Sequence, residues 1–403
     1  MYRFRSSLWL APAMLLVLAG CHTPANTAKS TATTSNTTAA AEPSEVNGMP
    51  VVHLKRAQKG DGPQFLGMTI LPGRGMNTFQ ITGYFPGLGK FDVLHAPSLQ
   101  VANTRYYGTA SDAYGDDSFA FGGAFLAPYV NRILGKLSPD RKTITTDWHG
   151  KKLVLPANWH NSAHPDQDLH AMHGLILKEN ASNVQVKKTS DGEVVTADMP
   201  DAFHGQWLSK TDLHFRIALT ADAIDAQIIA KNVGNQDEPI SMAWHPYLTI
   251  PSGQHAQARL HVPGTMRAEV NNYQDVFPTG KLSPVKGTRF DFTNPEGKPL
   301  DDGYLDDNYS NLTWNNGKLA VSVMDPASNY EISEVGFSPQ MKTIQVYSPP
   351  SANFVVVEEQ FNFSDPFGKE WHGMNTGMVT LKPGQAVLWH VQLRMSELHP
   401  VKQ

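Results

Sequence analysis

The side chains that could do chemistry in this chain are histidines and carboxylates. The sequence has no G-x-x-x-x-G-K-[ST] loop and no strand–G-x-G-x-x-G–helix unit, which are the motifs that bind nucleotide phosphates and dinucleotides. It also lacks the H-E-x-x-H and G-x-S-x-G motifs of zinc peptidases and serine hydrolases. The single cysteine, Cys21, lies close to the N-terminus. General acid–base catalysis by His, Asp and Glu is therefore the chemistry to expect.

Two segments place such groups on an extended backbone. Glu358 and Glu359 end the apolar run F-V-V-V at 354–357, and His245 precedes Pro246, which disfavours a helical backbone at His245. Neighbouring side chains on a strand face opposite ways, so only one of the two glutamates can enter a given cleft. The alternation does not decide which one. A carboxylate with a reference pKa of about 4.3 and an imidazole with one near 6.5 can hold different protonation states at neutral pH.

Five ordered segments carry a family resemblance. They are P-Y-V-N-R-I at 128–133, L-H-A-M-H-G at 169–174, N-V-G at 232–234 with W-H-P-Y-L at 244–248, L-D-D-N-Y at 305–309, and V-E-E-Q at 357–360 with G-M-V-T-L-K-P-G at 377–384. They resemble the N-R-I, H-G, N-x-G with H-x-Y-F, D-x-x-F, and E-P-Q with L-x-P-G segments of the aldose 1-epimerase (galactose mutarotase-like) family. The resemblance covers most of residues 60–395.

The resemblance implies both a fold and an activity. The fold is all-β, a large antiparallel β-sandwich (the galactose mutarotase-like supersandwich) that binds a pyranose on the concave face of one sheet. The activity is that of an isomerase, an aldose 1-epimerase that interconverts the α and β anomers of a free hexose without a cofactor. By the matched motifs, Glu358 is the general base and His245 the general acid. The sugar is held by Arg132, His173 and Asp306, with Asn131 beside them.

The reaction needs a proton removed from the anomeric hydroxyl and one delivered to the ring oxygen, and one base and one acid suffice. Arg132 offers a rigid fork of donors to sugar oxygens, and Asp306 accepts hydrogen bonds from vicinal hydroxyls. By strand alternation Asp307 points elsewhere. Three positions depart from the family pattern, because Glu359 replaces a Pro, Leu175 a second Gly and Tyr309 a Phe. These departures leave the identity of the sugar open.

Short antiparallel strands are the elements that must position these residues. Apolar residues alternate through 213–219, a polar interruption follows at 220–223, and the period of two resumes at 224–230, which predicts a hairpin. The same pattern returns at 319–323, 343–347, 354–357 and 386–393. The 28 prolines and 32 glycines are spread along the chain, without a fixed repeat that would indicate a propeller or solenoid. We expect one β-sandwich domain over residues 49–403, with few short helices.

The N-terminal region resembles that of a bacterial lipoprotein. Arg3 and Arg5 precede an apolar run at 8–18 that is shorter than the roughly 20 residues a membrane span needs, which predicts a signal peptide at 1–20. L-A-G-C at 18–21 resembles a lipobox, which implies lipidation of Cys21. Residues 21–48, rich in Thr, Ala and Ser, are expected to be a disordered tether. His22 in place of an Asp favours the outer membrane, facing the periplasm, within the cell envelope.

The charge composition limits the classes of binding partner to expect. With 33 basic and 37 acidic residues the formal net charge is -4, so nothing in the composition indicates nucleic-acid binding. The expected partners are a monosaccharide substrate and, through the lipid anchor alone, a membrane. The sequence leaves the oligomeric state open.

Alternative interpretations remain at this stage. Taken singly, each polar residue is more typical of a hydrogen-bonded structural group, and most of the tryptophans at 148, 159, 314 and 371 are more typical of a core than of a sugar platform. The acidic stretch 301–307 could attract calcium, but it lacks EF-hand spacing, and no metal is expected. Two other functions stay open. One is a non-catalytic sugar-binding lipoprotein, and the other is a glycosidase or lyase that would use two carboxylates, such as Asp306 and Glu358.

Overall fold

The period-two segments of the sequence form strands, as predicted. The computed structural model describes residues 42–106, 112–160 and 169–398. The predicted hairpin consists of Thr211–Leu219 and Ile224–Asn232, and its turn falls on the polar interruption at 220–223. The other four predicted strands are also present, each extended by one to four residues.

The described part of the chain is dominated by strands. Through the first half of the fold they are β1 (Glu45–Val46), β2 (Met49–Pro50), β3 (Val52–Lys55), β4 (Gln64–Leu71), β5 (Asn77–Phe85), β6 (Gly89–Asp92), β7 (Gly123–Leu126), β8 (Arg132–Ile133), β9 (Lys136–Leu137), β10 (Thr143–Trp148), β11 (Lys151–Pro156), β12 (Ala171–Met172), β13 (Ser182–Lys188), β14 (Glu193–Met199) and β15 (Thr211–Leu219). The remaining strands are β16 (Ile224–Asn232), β17 (Glu238–Ile240), β18 (Ala243–Thr249), β19 (Arg259–His261), β20 (Gly264–Val270), β21 (Pro278–Pro284), β22 (Lys298–Pro299), β23 (Leu305–Leu312), β24 (Leu319–Asp325), β25 (Tyr330–Gly336), β26 (Thr343–Ser348), β27 (Phe354–Gln360), β28 (Val379–Leu381) and β29 (Ala386–Glu397).

Helical structure is minor, as the sequence predicts. One α-helix, α1, spans Leu99–Tyr106, and short 3-10 turns occupy Pro72–Arg74, Asp116–Phe119, His255–Gln257, Pro326–Ser328 and Lys369–Trp371. Within the described residues, no helix combines the length and the apolar character that crossing a bilayer requires.

Two large antiparallel sheets make the sandwich. The nine-stranded sheet has the order β13-β14-β15-β16-β29-β25-β24-β19-β22, and the seven-stranded sheet has the order β21-β20-β23-β26-β27-β18-β7. Their facing sides share one apolar core, in which Phe125 of β7 lies 5.8 Å from Phe215 and 6.1 Å from Trp389, between ring centroids. These contacts join the two sheets, because Phe215 and Trp389 belong to the nine-stranded sheet. The predicted antiparallel β-sandwich is confirmed.

Smaller sheets surround the sandwich. β3 to β6 form a four-stranded sheet, β9 to β11 a three-stranded one, and β8 pairs with β12. The β8–β12 ribbon brings together two of the segments that the sequence singles out, because Arg132 lies opposite Met172, the residue that precedes His173.

The folded region begins earlier than the sequence predicts. β1 pairs with β2, and Val46 is buried in a small cluster with Leu71 and Phe79. The expected end of the tether at residue 48 is therefore several residues too late, because the β1–β2 pairing, the burial of Val46 and a hydrogen bond from Asn47 Nδ2 to the carbonyl oxygen of Gly73 hold this segment. Glu42–Gln403 is one compact unit. The predicted signal peptide, Cys21 and the tether as far as residue 41 lie outside the described residues.

Candidate active site

Neighbouring strands of the seven-stranded sheet align a row of polar side chains on one face. Gln345 on β26 lies opposite both Glu358 on β27 and Asn308 on β23. The register of β18 with β27, in which Tyr247 pairs with Val356, continues to bring His245 level with Glu358. Because directly opposed side chains have Cβ atoms about 4.5–5.5 Å apart, four adjacent strands place these groups in contact range. His245 therefore lies within β18, in agreement with the extended backbone that Pro246 favours.

Strand alternation separates the two glutamates, as predicted. Glu359 projects into the core between the sheets, where the charge of Glu334 on β25 acts on it. Gly336 makes this possible, because a Cβ at that position would lie 2.2 Å from the Oε2 atom of Glu359. Burial raises the pKa of both carboxyl groups well above the ordinary value, reinforced by the charge of Glu358 at Glu334 and by the charge of Glu334 at Glu359. Glu358 alone faces the polar row.

His245 and Glu358 form the closest acid–base pair in this row. The Nε2 atom of His245 lies 3.6 Å from the Oε1 atom of Glu358, and both side chains are buried. Burial lowers the pKa of His245 to about 4. Burial, reinforced by the charge of Asp306 and opposed by that of Arg132, raises the pKa of Glu358 well above its ordinary value. Both shifts favour the uncharged forms, a protonated Glu358 beside a neutral His245.

His173 lies against His245 at the edge of the site. The two rings meet edge to face with centroids 5.0 Å apart, and Phe119 packs against His173 with centroids 4.7 Å apart. Burial, together with the charges of His245 and Arg132, lowers the pKa of His173 well below its ordinary value. His173 is therefore neutral at neutral pH, so one ring nitrogen can donate a hydrogen bond while the other accepts one.

Backbone geometry explains the glycine that follows His173. Gly174 has a φ of +85°, and a Cβ there would lie 2.2 Å from the carbonyl oxygen of Ala127. His173 itself has a φ of 58°, and its backbone N–H donates to the carbonyl oxygen of Asn131 at 3.1 Å. The H-G pair is thus required locally to turn the chain sharply beside the N-R-I segment.

Four buried side chains close a hydrogen-bonded ring beside the catalytic pair. Arg132 donates from Nη2 to Asp306 Oδ2 at 3.1 Å and from Nη1 to Asn131 Oδ1 at 2.9 Å. Asn131 donates from Nδ2 to Gln345 Oε1 at 3.0 Å, and Gln345 donates from Nε2 to Asp306 Oδ1 at 2.6 Å. Asn308 adds a donor to Gln345 Oε1 at 3.1 Å. The polar-ring residues, Asn131, Arg132, Asp306 and Gln345, are thereby oriented by one another.

The segment that carries Arg132 is fastened to the loop that follows β27. Asn362 accepts from the backbone N–H of Val130 and donates to its carbonyl oxygen. The backbone N–H of Asp365 donates to the carbonyl oxygen of Arg132 at 2.7 Å, and the Oδ1 atom of Asp365 accepts from the N–H of Leu134 at 2.9 Å. The Arg132 backbone is therefore held from both sides.

The site leaves several buried polar atoms without a hydrogen-bond partner among the described residues. They are Glu358 Oε2, Arg132 Nε, His173 Nδ1, His245 Nδ1 and Asn308 Oδ1. An unpaired buried polar group costs about 1–3 kcal/mol. A ligand with many hydroxyl groups, each able to donate and accept, can satisfy such a set.

The acidic stretch does not converge on a cation. Asp302 accepts from the N–H of Ser351 and contacts His255, Asp306 joins the polar ring, and Asp307 pairs with Arg267 on the opposite face of β23. Asp307 thus points away from the site, as predicted from alternation. Within the part of the chain that the structure describes, no group of three or more His, Cys, Asp or Glu side chains is arranged to hold a metal ion.

The tryptophans are divided between the core and the surface. Trp148 lies in the main core, and Trp371 lies in a smaller cluster with Phe363. Trp159 packs on Phe119, with centroids 5.2 Å apart, so it supports the histidines through that ring. Trp314 lines a surface pocket that includes none of the predicted site residues.

All six predicted site residues, Asn131, Arg132, His173, His245, Asp306 and Glu358, come together in the structure. Sequence reasoning missed Gln345, Asn308 and Phe119. Gln345 lies in a strand that was predicted, and its polar side chain at a position facing the same way as the predicted base was the available signal. Nothing in the sequence marked Phe119. The catalytic and binding roles of the six stay predictions.

Comparisons with known proteins place this arrangement in a family. Residues 97–394 match the family model described as aldose 1-epimerase. No curated protein matches the chain.

Solved structures of similar fold cover most of the chain. A galactose mutarotase-like protein from Clostridium acetobutylicum superposes with a TM-score of 0.65 at 15% identity, covering 86% of this chain and 99% of its own. An aldose epimerase homologue from C. elegans has a TM-score of 0.59 at 18% identity, with coverages of 87% and 99%. A galactose 1-epimerase from Lactobacillus acidophilus has a TM-score of 0.59 at 15% identity, with the same coverages. At these identities the likeness is one of fold.

Proposed function

Because the chain belongs to the aldose 1-epimerase family, we propose that it is a mutarotase that interconverts the α and β anomers of a free hexose by acid–base ring opening and reclosure. The observation that carries the proposal is the His245–Glu358 pair, with 3.6 Å between Nε2 and Oε1, on the same sheet face as the polar ring. No cofactor takes part in the proposed reaction.

The pair has the proton count that the reaction needs. A protonated Glu358 beside a neutral His245 carries one proton, and burial favours this form because it raises the pKa of the first and lowers that of the second. A sugar that donates hydroxyl hydrogen bonds to the carboxylate favours the form in which Glu358 is ionised and His245 protonated. The proton therefore moves from Glu358 to His245 when the sugar binds, without exchange with solvent.

The chemical steps follow from this form. Glu358 takes the proton of the anomeric hydroxyl while His245 protonates the ring oxygen, and the C1–O5 bond breaks to give the open aldehyde. Rotation about C1–C2 presents the other face of the aldehyde. His245 then recovers its proton from the O5 hydroxyl as that oxygen attacks C1, and Glu358 returns its proton to O1. The enzyme ends in its starting state, and each group contributes about 10²–10⁴ in rate.

The polar ring supplies the sugar contacts. Arg132 keeps Nε free and uses one hydrogen of each terminal nitrogen in the ring, so three N–H groups remain for sugar oxygens. Each oxygen of Asp306 accepts one protein donor and retains a lone pair for a hydroxyl group. His173 provides a neutral imidazole beside His245.

Polarimetry tests the proposal directly. The purified protein should accelerate the approach of fresh α-glucose or α-galactose to anomeric equilibrium, and Glu358→Gln should abolish the acceleration while sugar binding, measured by calorimetry, is largely kept. Binding by the wild type without acceleration would instead favour a non-catalytic sugar-binding protein. Release of new reducing ends from oligosaccharides would favour a glycosidase. Either result contradicts the mutarotase.

We also propose that the protein is a lipoprotein of the cell envelope, anchored through Cys21 to the outer membrane and facing the periplasm. The support is the lipobox-like L-A-G-C at 18–21 and the absence of Asp after the cysteine. Fractionation tests this, because Cys21→Ala should move the protein from the membrane fraction to the soluble fraction. An unmodified Cys21 in the mass spectrum of the mature protein would contradict the anchor.

A further inference from the structure

Gln345 is hydrogen-bonded to three side chains, two in the polar ring and Asn308 beside it, whereas Asn131, Arg132 and Asp306 are each bonded to two. Its Nε2 donates to Asp306, and its Oε1 accepts from both Asn131 and Asn308, with donor–acceptor distances of 2.6, 3.0 and 3.1 Å. Gln345 is fully enclosed, and it lies between Glu358 and Asn308 in the row across the sheet.

We propose that Gln345 is a positioning residue that fixes the sugar-binding geometry of Asp306 and, through Asn131, of Arg132. The inference rests on the proposed function, because it assigns a role within the same site. Gln345 itself needs no contact with the sugar.

Only an amide fits the donors and acceptors around position 345. Arg132 can only donate and an ionised Asp306 can only accept, so the two amides between them must each accept on the side of Arg132 and donate on the side of Asp306. The hydrogen-bond direction runs from Arg132 through Asn131 and Gln345 to Asp306. A Glu at 345 would face Asp306 with a second acceptor, and a Met would offer neither group.

Gln345 also lies between two carboxyl groups of the site. Glu358 and Asp306 lie close enough for the charge of Asp306 to raise the pKa of Glu358. The amide of Gln345 is the cross-strand neighbour of Glu358 and donates to Asp306, so it ties the Asp306 carboxylate to the Arg132 side of the site. Asp306 is thereby held toward Arg132, while Glu358 faces His245.

Three variants separate positioning from simple packing. Gln345→Met keeps the side-chain length and removes all three hydrogen bonds. Gln345→Glu keeps the shape and sets two acceptors against each other. The double variant Asp306→Asn with Gln345→Glu satisfies the ring again, because Asn at 306 donates to Glu at 345 and accepts from Arg132, while Asn131 and Asn308 donate as before. Gln227→Met on the nine-stranded sheet is the control, since among the described residues the Gln227 side chain bonds Asp225 and His390 and no member of the polar ring.

The test measures kcat and KM by polarimetry, together with the melting temperature. We expect Gln345→Met to raise KM about 10- to 100-fold, the factor that corresponds to one lost hydrogen bond to a charged group. For this variant kcat/KM should decline at the same acid and alkaline pH values as for the wild type, because Glu358 and His245 are unchanged. The double variant should regain most of the thermal stability that Gln345→Glu loses and still have a high KM, since position 306 carries no charge. Gln227→Met should match the wild type.

The outcomes distinguish the inference from the function on which it rests. An active wild type with an unchanged KM in Gln345→Met overturns the positioning role and leaves the mutarotase standing. A Gln345→Glu variant with wild-type KM also overturns it, because two opposed acceptors in the ring would then leave the sugar-binding geometry intact. A wild type that accelerates no anomeric exchange overturns the proposed function, and the inference with it.

Discussion

Glu358 and Glu359 are consecutive in β27, and their carboxyl groups lie on opposite sides of the seven-stranded sheet. The first faces His245 at 3.6 Å, and the second faces the core and Glu334. The pair provides an internal control for catalysis. We expect Glu359→Gln to retain mutarotase activity within about threefold, whereas Glu358→Gln loses it, because their positions in the sequence are nearly the same and their environments are not. Polarimetry on both proteins checks this, and equal losses would contradict the assignment.

The buried Glu334–Glu359 pair predicts a pH dependence of stability. Both folded-state pKa values are raised above the unfolded-state value of about 4.3, so the pair's stabilising contribution is complete below that pH. It is lost as the pH rises through the folded-state values, because the unfolded chain then releases protons that the core retains. The melting temperature of Glu359→Gln should therefore rise relative to the wild type as the pH is increased. A constant difference from pH 5 to about pH 9 would contradict this.

The His245–Glu358 pair predicts the pH dependence of the rate. Because burial lowers the pKa of His245 to about 4 and raises that of Glu358, the one-proton form extends from about pH 4 to the raised pKa of Glu358. We expect kcat/KM to be level near neutrality, to fall below about pH 4 when the pair gains a second proton, and to fall at alkaline pH when it loses its last one. An acid limb near 6.5, the ordinary pKa of histidine, would mean that His245 is not shielded from water.

His245 and Arg132 should affect different kinetic constants. His245→Asn removes the proton donor for the ring oxygen, so kcat should fall about 10²- to 10⁴-fold with little change in KM. In the wild type the two terminal nitrogens of the planar Arg132 guanidinium bond Asn131 and Asp306. Arg132→Lys leaves one nitrogen that cannot reproduce this geometry, so KM should rise at least about tenfold. Arg394→Lys, at an exposed arginine, is the control for Arg132→Lys. Initial rates over a range of sugar concentrations separate the two constants.

Gly174 supplies a test of the backbone beneath His173. Gly174→Ala combines left-handed strain, about 1–2 kcal/mol, with a Cβ 2.2 Å from the Ala127 carbonyl oxygen, so it should unfold the local turn and raise KM. Gly205→Ala is the matched control, because Gly205 also has a positive φ, +76°, but nothing lies within 4 Å of its Cβ position. Melting temperatures and rates should distinguish the two. Equal effects would mean that strain alone, and not the contact, fixes the glycine.

Much of the fold could be predicted because its strands have one buried face. The period of two through 213–219 and 224–230 located a hairpin whose turn is where the polar interruption lies. The same alternation separated Asp306 from Asp307 and predicted that only one of Glu358 and Glu359 would face the site. The N-terminal boundary was missed, because the burial of Val46 depends on partners distant in the sequence, such as Leu71 and Phe79.

The polar ring could not be predicted from local pattern. Asn131 and Gln345 are 214 residues apart, and a glutamine in a strand predicts no particular partner. What decides its role is the register of β26 with β23 and β27, which depends on the pairing of three strands. The family resemblance located the charged members of the site, and the structure was needed to identify the neutral residue that connects them.

The attachment of the Arg132 segment to the loop after β27 has a consequence for local opening. The amide hydrogens of Val130, Leu134 and Asp365 are each bonded across these two segments, so none can exchange with solvent until both segments separate. A short stretch outside the large sheets should therefore show slow deuterium uptake like that of a central strand. The sugar-binding arginine would then be presented by a rigid support, and little of the free energy of binding would be spent on ordering it.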